Sequence, residues 1–233
     1  MLELVIPDVH GKLDRLLQIE KELFPKAERL VFLGDFFDSF DMYDVEGMCK
    51  WIAYTLQDKR SVIVWANHDA HYCFKHPWFR CTGYSYVTQA IVDMHFKREH
   101  WDKFKLWTRC GNGEWLVSHA GFTPETIGLC TPAHHEEALL NAWEGNFHDL
   151  WMPGEGRGGP KGETGGPTWL DWKREFKPVE GLKQIVGHSR DRLVRVRGHN
   201  YCLDTSLNHV MFVEGPKVEI VALNQVLPQG AVV

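Results

Sequence analysis

An α/β fold, with a parallel sheet covered by helices, is predicted by three features of the sequence. Apolar β-like runs alternate, through the first 69 residues, with stretches whose apolar residues recur at helical spacing, the rhythm of βαβ units. Each run ends in polar residues, and the carboxyl ends of parallel strands share one edge, where ligands collect. The length, 233 residues with 44% hydrophobic and 24% charged, fits one sizeable domain with its own core.

In chain order, ELVIPDV (3–9) reads as a short strand, KLDRLLQIEKELF (12–24) as a helix and RLVFLGD (29–35) as a second strand. VEGMCKWIAYTLQDK (45–59) reads as a helix and SVIVWANHD (61–69) as a third strand. The aromatic, turn-rich stretch 70–86 suggests a loop or lid and 87–104 has helical periodicity, so 70–104 is a candidate lid insertion. From 106 on, Gly-Asn-Gly between two apolar runs signals a hairpin, and helical material follows to about Trp151. Residues 153–167 hold seven glycines and three prolines, the composition of a flexible surface loop. LKQIVGHS, LVRVRGHNYCLDTS, HVMFVEG and KVEIVALN then read as a second set of strands. With no internal repeat and no linker, residues 1–233 form a single expected domain.

Charge and cysteine usage narrow the function classes. A net charge of −5 and a pI near 6.2 give no broad attraction to nucleic acid or anionic membrane. No apolar run approaches the roughly 20 residues of a membrane span, and MLELVIPDVHGKLD has no secretory pattern, so a cytoplasmic protein is expected. Six scattered cysteines without C-x-x-C, in a chain this long, read as free thiols rather than a disulfide framework. GEGRGG (154–159) matches a dinucleotide fingerprint literally but follows no strand and opens no apolar helix, so it is read as loop.

The chemistry lies in five short motifs. In PDVHG, Asp8 and His10 stand two residues apart at a strand end and point to one face. In GDFFD, Gly34 permits close backbone approach and Asp35 can offer one oxygen to each of two cations. ANHD supplies Asn67 as a neutral oxygen ligand with His68 beside it; VSHAG and IVGHS place His119 and His188 after apolar strands. Singly, each has an ordinary structural reading, a hydrogen-bonded turn or a satisfied interior histidine. Together they supply six oxygen or imidazole ligands and no thiolate, the mixed set of manganese, iron, zinc or similar ions.

This ordered set, DVHG, GDFFD, NHD, SHAG and GHS, resembles the calcineurin-like metallophosphoesterases, particularly the phosphoprotein phosphatase branch with its bacterial and phage Ser/Thr phosphatases and diadenosine tetraphosphatases. The resemblance spans residues 8 to 204. It implies a four-layer α/β-β/α sandwich with two divalent metal ions between the sheets, manganese first and iron, zinc or nickel as alternatives. By motif, Asp8 and His10 would bind one ion, Asn67, His119 and His188 the other, and Asp35 both; His68 would be the catalytic acid, oriented by Asp38. The implied activity is hydrolysis of phosphate monoesters, phosphoprotein or small ester, by attack of a metal-bridging hydroxide. A dinucleoside polyphosphate hydrolase or a phosphodiesterase acting on nucleic-acid ends is the alternative within the fold. An inactive binding module is disfavoured because all six ligands, His68 and Asp38 are present.

Hydrolysis chemistry fits these roles independently. Two cations about 3.5–4 Å apart acidify a bridging water and clamp phosphoryl oxygens. The departing alkoxide needs a proton, which a histidine held by a carboxylate can give near neutral pH. Growing charge on the phosphoryl group calls for a guanidinium, and TWLDWKREF (168–176) offers Arg174 as a substrate-binding residue beside Asn67; the plain alternative is a solvated surface arginine. Two departures stand out from the branch. Ser39 follows Asp38 where its members usually carry arginine, leaving Arg190, Arg192, Arg195 or Arg197 to compensate, and Ala66 replaces the glycine common before the Asn-His pair.

Overall fold

Residues 1–39 and 41–227 are described by the computed structural model. The first third builds the expected βαβ rhythm. Strand β1 (Leu2–Ile6), helix α1 (Leu13–Leu23), β2 (Arg29–Phe32), α2 (Val45–Thr55) and β3 (Ser61–Ile63) follow in turn, with β1, β2 and β3 parallel. Helix α1 buries Leu16, Ile19 and Leu23, a stripe at helical spacing, and α2 starts where the Asp44 carboxylate accepts the Gly47 amide.

The middle departs from the expected elements. The third strand does not run to Asp69: Asn67 opens α3 (Asn67–Phe74), because after the extended Ala66 the first-turn amide of His68 finds an acceptor in the Asp35 carboxylate. The expected 87–104 helix is broken into α4 (Tyr86–His95) and α5 (Arg98–Trp101). Phe96 lies between them in an extended conformation, its ring on Trp101 at 4.5 Å and near Phe37 at 6.4 Å, so core packing overrides helical continuity. Of the aromatic stretch, Tyr72 and Phe79 are core residues, whereas Trp78 is 63% exposed.

The hairpin forms as β4 (Trp107–Cys110) and β5 (Trp115–Ser118), and α6 (Pro132–Glu144) ends at Gly145 with φ +77°. Residues 153–167 close on themselves through Glu155 N–H to Glu163 O (2.9 Å) and Gly166 N–H to Met152 O (2.9 Å). Next come β6 (Lys183–Val186), β7 (Arg195–Arg197), β8 (Asn200–Cys202), β9 (His209–Glu214), β10 (Lys217–Ala222) and α7 (Leu223–Val226). The run 193–206 is thus a hairpin and not one strand, turning at Gly198, φ +59°.

These strands make two five-stranded sheets, ordered β10-β9-β1-β2-β3 and β4-β5-β6-β8-β7. Both are mixed, because β9 and β10 join antiparallel, as do β4 and β7 on the second sheet. Val5, Val31, Leu33, Val117, Ile185 and Leu203 fill the space between them, while Leu4, Ile6, Leu30 and Phe32 face α1 and α2. Period-2 alternation of apolar residues with both faces buried explains why the strands look uniformly apolar. On the far face of the second sheet the cover is a run of turns, in which Trp172 and Phe176 stack at 4.1 Å over Val186 and Cys202. Among the described residues no helix is long and apolar enough to cross a membrane.

Candidate metal centre

Strand ends from both sheets meet at one edge of the sandwich. Asp8 and His10 follow β1, Asp35 and Asp38 follow β2, Asn67 opens α3, His119 follows β5 and His188 follows β6. Four of these take the left-handed conformation: His10 (φ 45°), Asp35 (51°), Asp38 (62°) and His188 (64°). Such backbone costs a non-glycine residue roughly 1 kcal/mol or more and persists only where neighbours impose it. Here Asp69 accepts the Asp35 and Phe36 amides (2.9 and 3.0 Å), Asp35 O accepts the His10 amide (2.7 Å), and Asp8 Oδ1 accepts the His188 amide (2.8 Å). A side chain at Gly187 would run into Asp8 Oδ2, so the glycine of the GHS motif leaves room for that carboxylate.

Backbone carbonyls set the tautomers of two rings. His119 Nδ1–H donates to Leu33 O (2.7 Å) and His10 Nδ1–H to Asp38 O (3.0 Å); a carbonyl only accepts, so each Nε2 keeps its lone pair. Those nitrogens face Asp35 Oδ2 at 3.4 and 3.5 Å, and His119 Nε2 lies 3.1 Å from both Asn67 Oδ1 and His188 Nδ1. Two potential ligand sets result, Asp8 with His10 and Asp35, and Asp35 with His119 and His188; they share Asp35.

The donor set fits divalent cations. Burial, then the neighbouring carboxylates Asp204 and Asp35, drives the Asp8 carboxyl well above the ordinary range, and burial with Asp69 does the same to Asp35. Burial lowers His10 to about 4 and His119 to about 3, so both rings are neutral. Asp8 Oδ2 and His188 Nε2 are buried without a hydrogen-bond partner among the described residues. Clustered carboxylate oxygens and ring lone pairs are the surroundings of a cation, and the absence of sulfur suits manganese, iron or zinc.

His68 has the opposite electrostatics. Its Nδ1 lies 2.8 Å from Asp38 Oδ2; burial alone would lower its pKa, but hydrogen bonds to Asp38 and Cys81 raise it to about 9. Burial would raise Asp38, yet a hydrogen bond from His68, the His71 ring 2.8 Å away and a hydrogen bond from Tyr72 hold it below the usual carboxylate range. Neutral rings beside one protonated ring, within a single cluster, separate ligand from acid. His10, Asp35, Asn67, His68 and His188 line a cavity of about 570 Å³.

Arg174 is not brought to this cavity. It is exposed, donates Nη1–H to Gly156 O (3.2 Å) and borders a separate hollow with Glu155 and Glu175. Two arginines line the cavity instead: exposed Arg80, and Arg157 from the glycine-rich segment, oriented by Ser189 Oγ (2.8 Å) and Asp171 Oδ2 (3.0 Å). On the opposite side Arg190 and Ser39 share an adjoining hollow with His10, Asp38 and His68, so Arg190 stands where Ser39 leaves no guanidinium. Arg195 and Arg197 are tied to the carbonyls of Ser189 and Phe176.

Sequence reading missed His71, Cys81, Arg157 and Asp204, and placed Asp69 at the strand-end edge without a role. His71 had a usable signal, lying three residues after His68 on one helical face. Asp204, buried beside Asp8 in the LDTS segment, also follows a strand.

No protein-family model matches the chain, and no curated protein does. Solved structures do. The cold-active protein-tyrosine phosphatase of a psychrophilic Shewanella species aligns at TM-score 0.64 and 14% identity, over 95% of this chain and 77% of that one. A protein serine/threonine phosphatase from Saccharomyces cerevisiae aligns at 0.55 and 16% identity, over 95% and 79%. A putative diadenosine tetraphosphatase aligns at 0.53 and 15% identity, over 95% and 93%. At this identity the likeness is one of fold alone, and it bears out the expected α/β sandwich of two sheets.

Proposed function

We propose that this protein is a dinuclear-metal phosphoesterase that hydrolyses phosphate monoesters at the 570 Å³ cavity. One observation carries the reading: neutral imidazoles and buried carboxylates converge beside a separately protonated His68–Asp38 pair. Divalent ions held by Asp8, His10, Asp35, Asn67, His119 and His188 would supply Lewis acidity and an acidified water. The residues do the rest. Arg157 and Arg190, from opposite sides, give bidentate donors to phosphoryl oxygens. His68 donates its proton to the leaving oxygen, and Asp38 holds the ring for that transfer. The fold shared with phosphatases supports the assignment.

Metal-free protein should be inert towards an aryl phosphate, gain turnover with manganese and lose it again with a chelator. Metal-loaded protein that turns over no phosphoester would overturn the reading. A second reading has its own observation: exposed Trp78 and Arg80 lie on the same cavity wall, and an indole stacks a nucleobase. Comparison of phosphopeptide, dinucleoside tetraphosphate and phosphodiester separates the two. Arg157→Ala is expected to lower kcat/KM for the preferred substrate about 10²-fold, with Arg174→Ala within about twofold of wild type because an exposed side chain is lost. Equal losses in steady-state kinetics would return the role to Arg174.

A further inference from the structure

The geometry points to a third cation site, of thiolate-seeking zinc-class chemistry, formed by Cys81, His71 and His68 at the edge of the cavity. Its ligand atoms lie within 4.8 Å of one another. Cys81 Sγ is 3.2 Å from His71 Nδ1 and 3.7 Å from His68 Nδ1. Tetrahedral zinc, with bonds of about 2.3 Å to sulfur and about 2.0 Å to nitrogen, sets neighbouring S and N ligands roughly 3.5 Å apart. Little movement is needed.

Independent features support a cation here. His71 is fully buried, and its far nitrogen, Nε2, lies 2.8 Å from Asp38 Oδ2. That nitrogen has no hydrogen-bond partner among the described residues, and the nearby carboxylate favours a cation on the ring, whose Nδ1 faces the thiol. Cys81 is half-buried and lines the cavity, which gives an entry path and an open fourth position. Helix α3 puts both rings on one face, whereas the cysteine comes from the loop following the turn at Pro77–Phe79. The donors also differ in kind from the neighbouring six, which contain no sulfur, and a thiolate is a soft ligand that zinc-class ions take and manganese does not favour.

Binding releases the thiol proton of Cys81 and the Nδ1 proton of His68 to solvent, and it takes His68 Nδ1 from Asp38. A His68 so engaged no longer has the carboxylate that orients it as an acid. Zinc-class ions therefore inhibit where manganese activates. That consequence rests on the proposed phosphoesterase reading; the binding site does not.

The test uses the full chain loaded with manganese and then given zinc or cobalt. Metal analysis after dialysis should show one equivalent of zinc beside two of manganese, a third metal equivalent in all. Cobalt should produce a thiolate-to-metal charge-transfer band, which the six sulfur-free ligands cannot generate. Both signals require no turnover, so their success with a catalytically silent protein would sink the enzyme reading alone. In Cys81→Ser the band and the third equivalent should vanish, and the zinc concentration that halves the variant's own manganese activity should rise at least ~10-fold. A wild-type protein with no cobalt–thiolate band overturns the site, as does equal zinc inhibition of both proteins, which would place zinc in the dinuclear centre. Inhibition reversed by a phosphine reductant but not by a chelator would make Cys81 an oxidation site and also overturns it.

Discussion

Asparagine in place of His68 is expected to lower turnover of a substrate with a poor leaving group by about 10²–10⁴-fold, the range for loss of a positioned general acid. An aryl ester whose phenolate leaves easily should lose far less, since little proton transfer is needed in its transition state. Metal content should stay at two, because the His68 ring faces Asp38 and Cys81 and only its backbone amide touches Asp35. The sign of the pH effect follows from the ring. His68 is held protonated up to about 9 in the metal-free protein. Nearby dications disfavour the imidazolium, so the alkaline limb of kcat belongs below pH 9 and should disappear in His68→Asn. Loss of a metal ion in the variant, by metal analysis, would make His68 a ligand and remove its role as acid.

Asp35→Asn is expected to abolish metal-dependent activity yet to raise the thermal stability of the metal-free protein. Asp35 is 2% exposed, and burial with Asp69 pushes its pKa well above the ordinary value. The folded chain therefore holds a proton that the unfolded chain releases above about pH 4. Stability of the metal-free protein accordingly falls as pH rises from that point through the folded pKa. Asparagine removes the buried charge. It can still accept the His68 amide at Oδ1, and its Nδ2–H can donate to the lone pairs of His10 and His119. Wild type should gain stability on metal addition, about 2.7 kcal/mol at 100 times Kd, and the variant should gain little. Calorimetry with and without manganese at pH 6 and 8 reads both effects. A metal-free variant melting below wild type at pH 8 would show that Asp35 is structural rather than a strained ligand.

Much of the site was legible before any tertiary contact was known. Asp8 and His10, Asp35 and Asp38, and His68 stand beside apolar runs that became β1, β2 and the approach to α3. Period and punctuation are local signals, and ligands at strand ends inherit their placement from them. The same logic located His119 and His188. It failed where packing competes with periodicity. Phe96 sits in a helical pattern but turns into the core against Trp101, and Asn67 leaves a strand pattern for a helix whose start Asp35 accepts.

What the sequence by itself determined was the set of candidate ligand types, their strand-end positions and the α/β class, because each is written in residues a few positions apart. Only the tertiary structure decided which residues back the candidate ligands and which arginines face the cavity. Arg157 reaches the cavity through Ser189, 32 residues on, and Arg174, in the more suggestive segment, points elsewhere. Cys81 meets His71 across a loop, and Asp69 anchors the Asp35 turn from 34 residues away. Such contacts depend on how loops close over a packed core, and no sequence period encodes that closure.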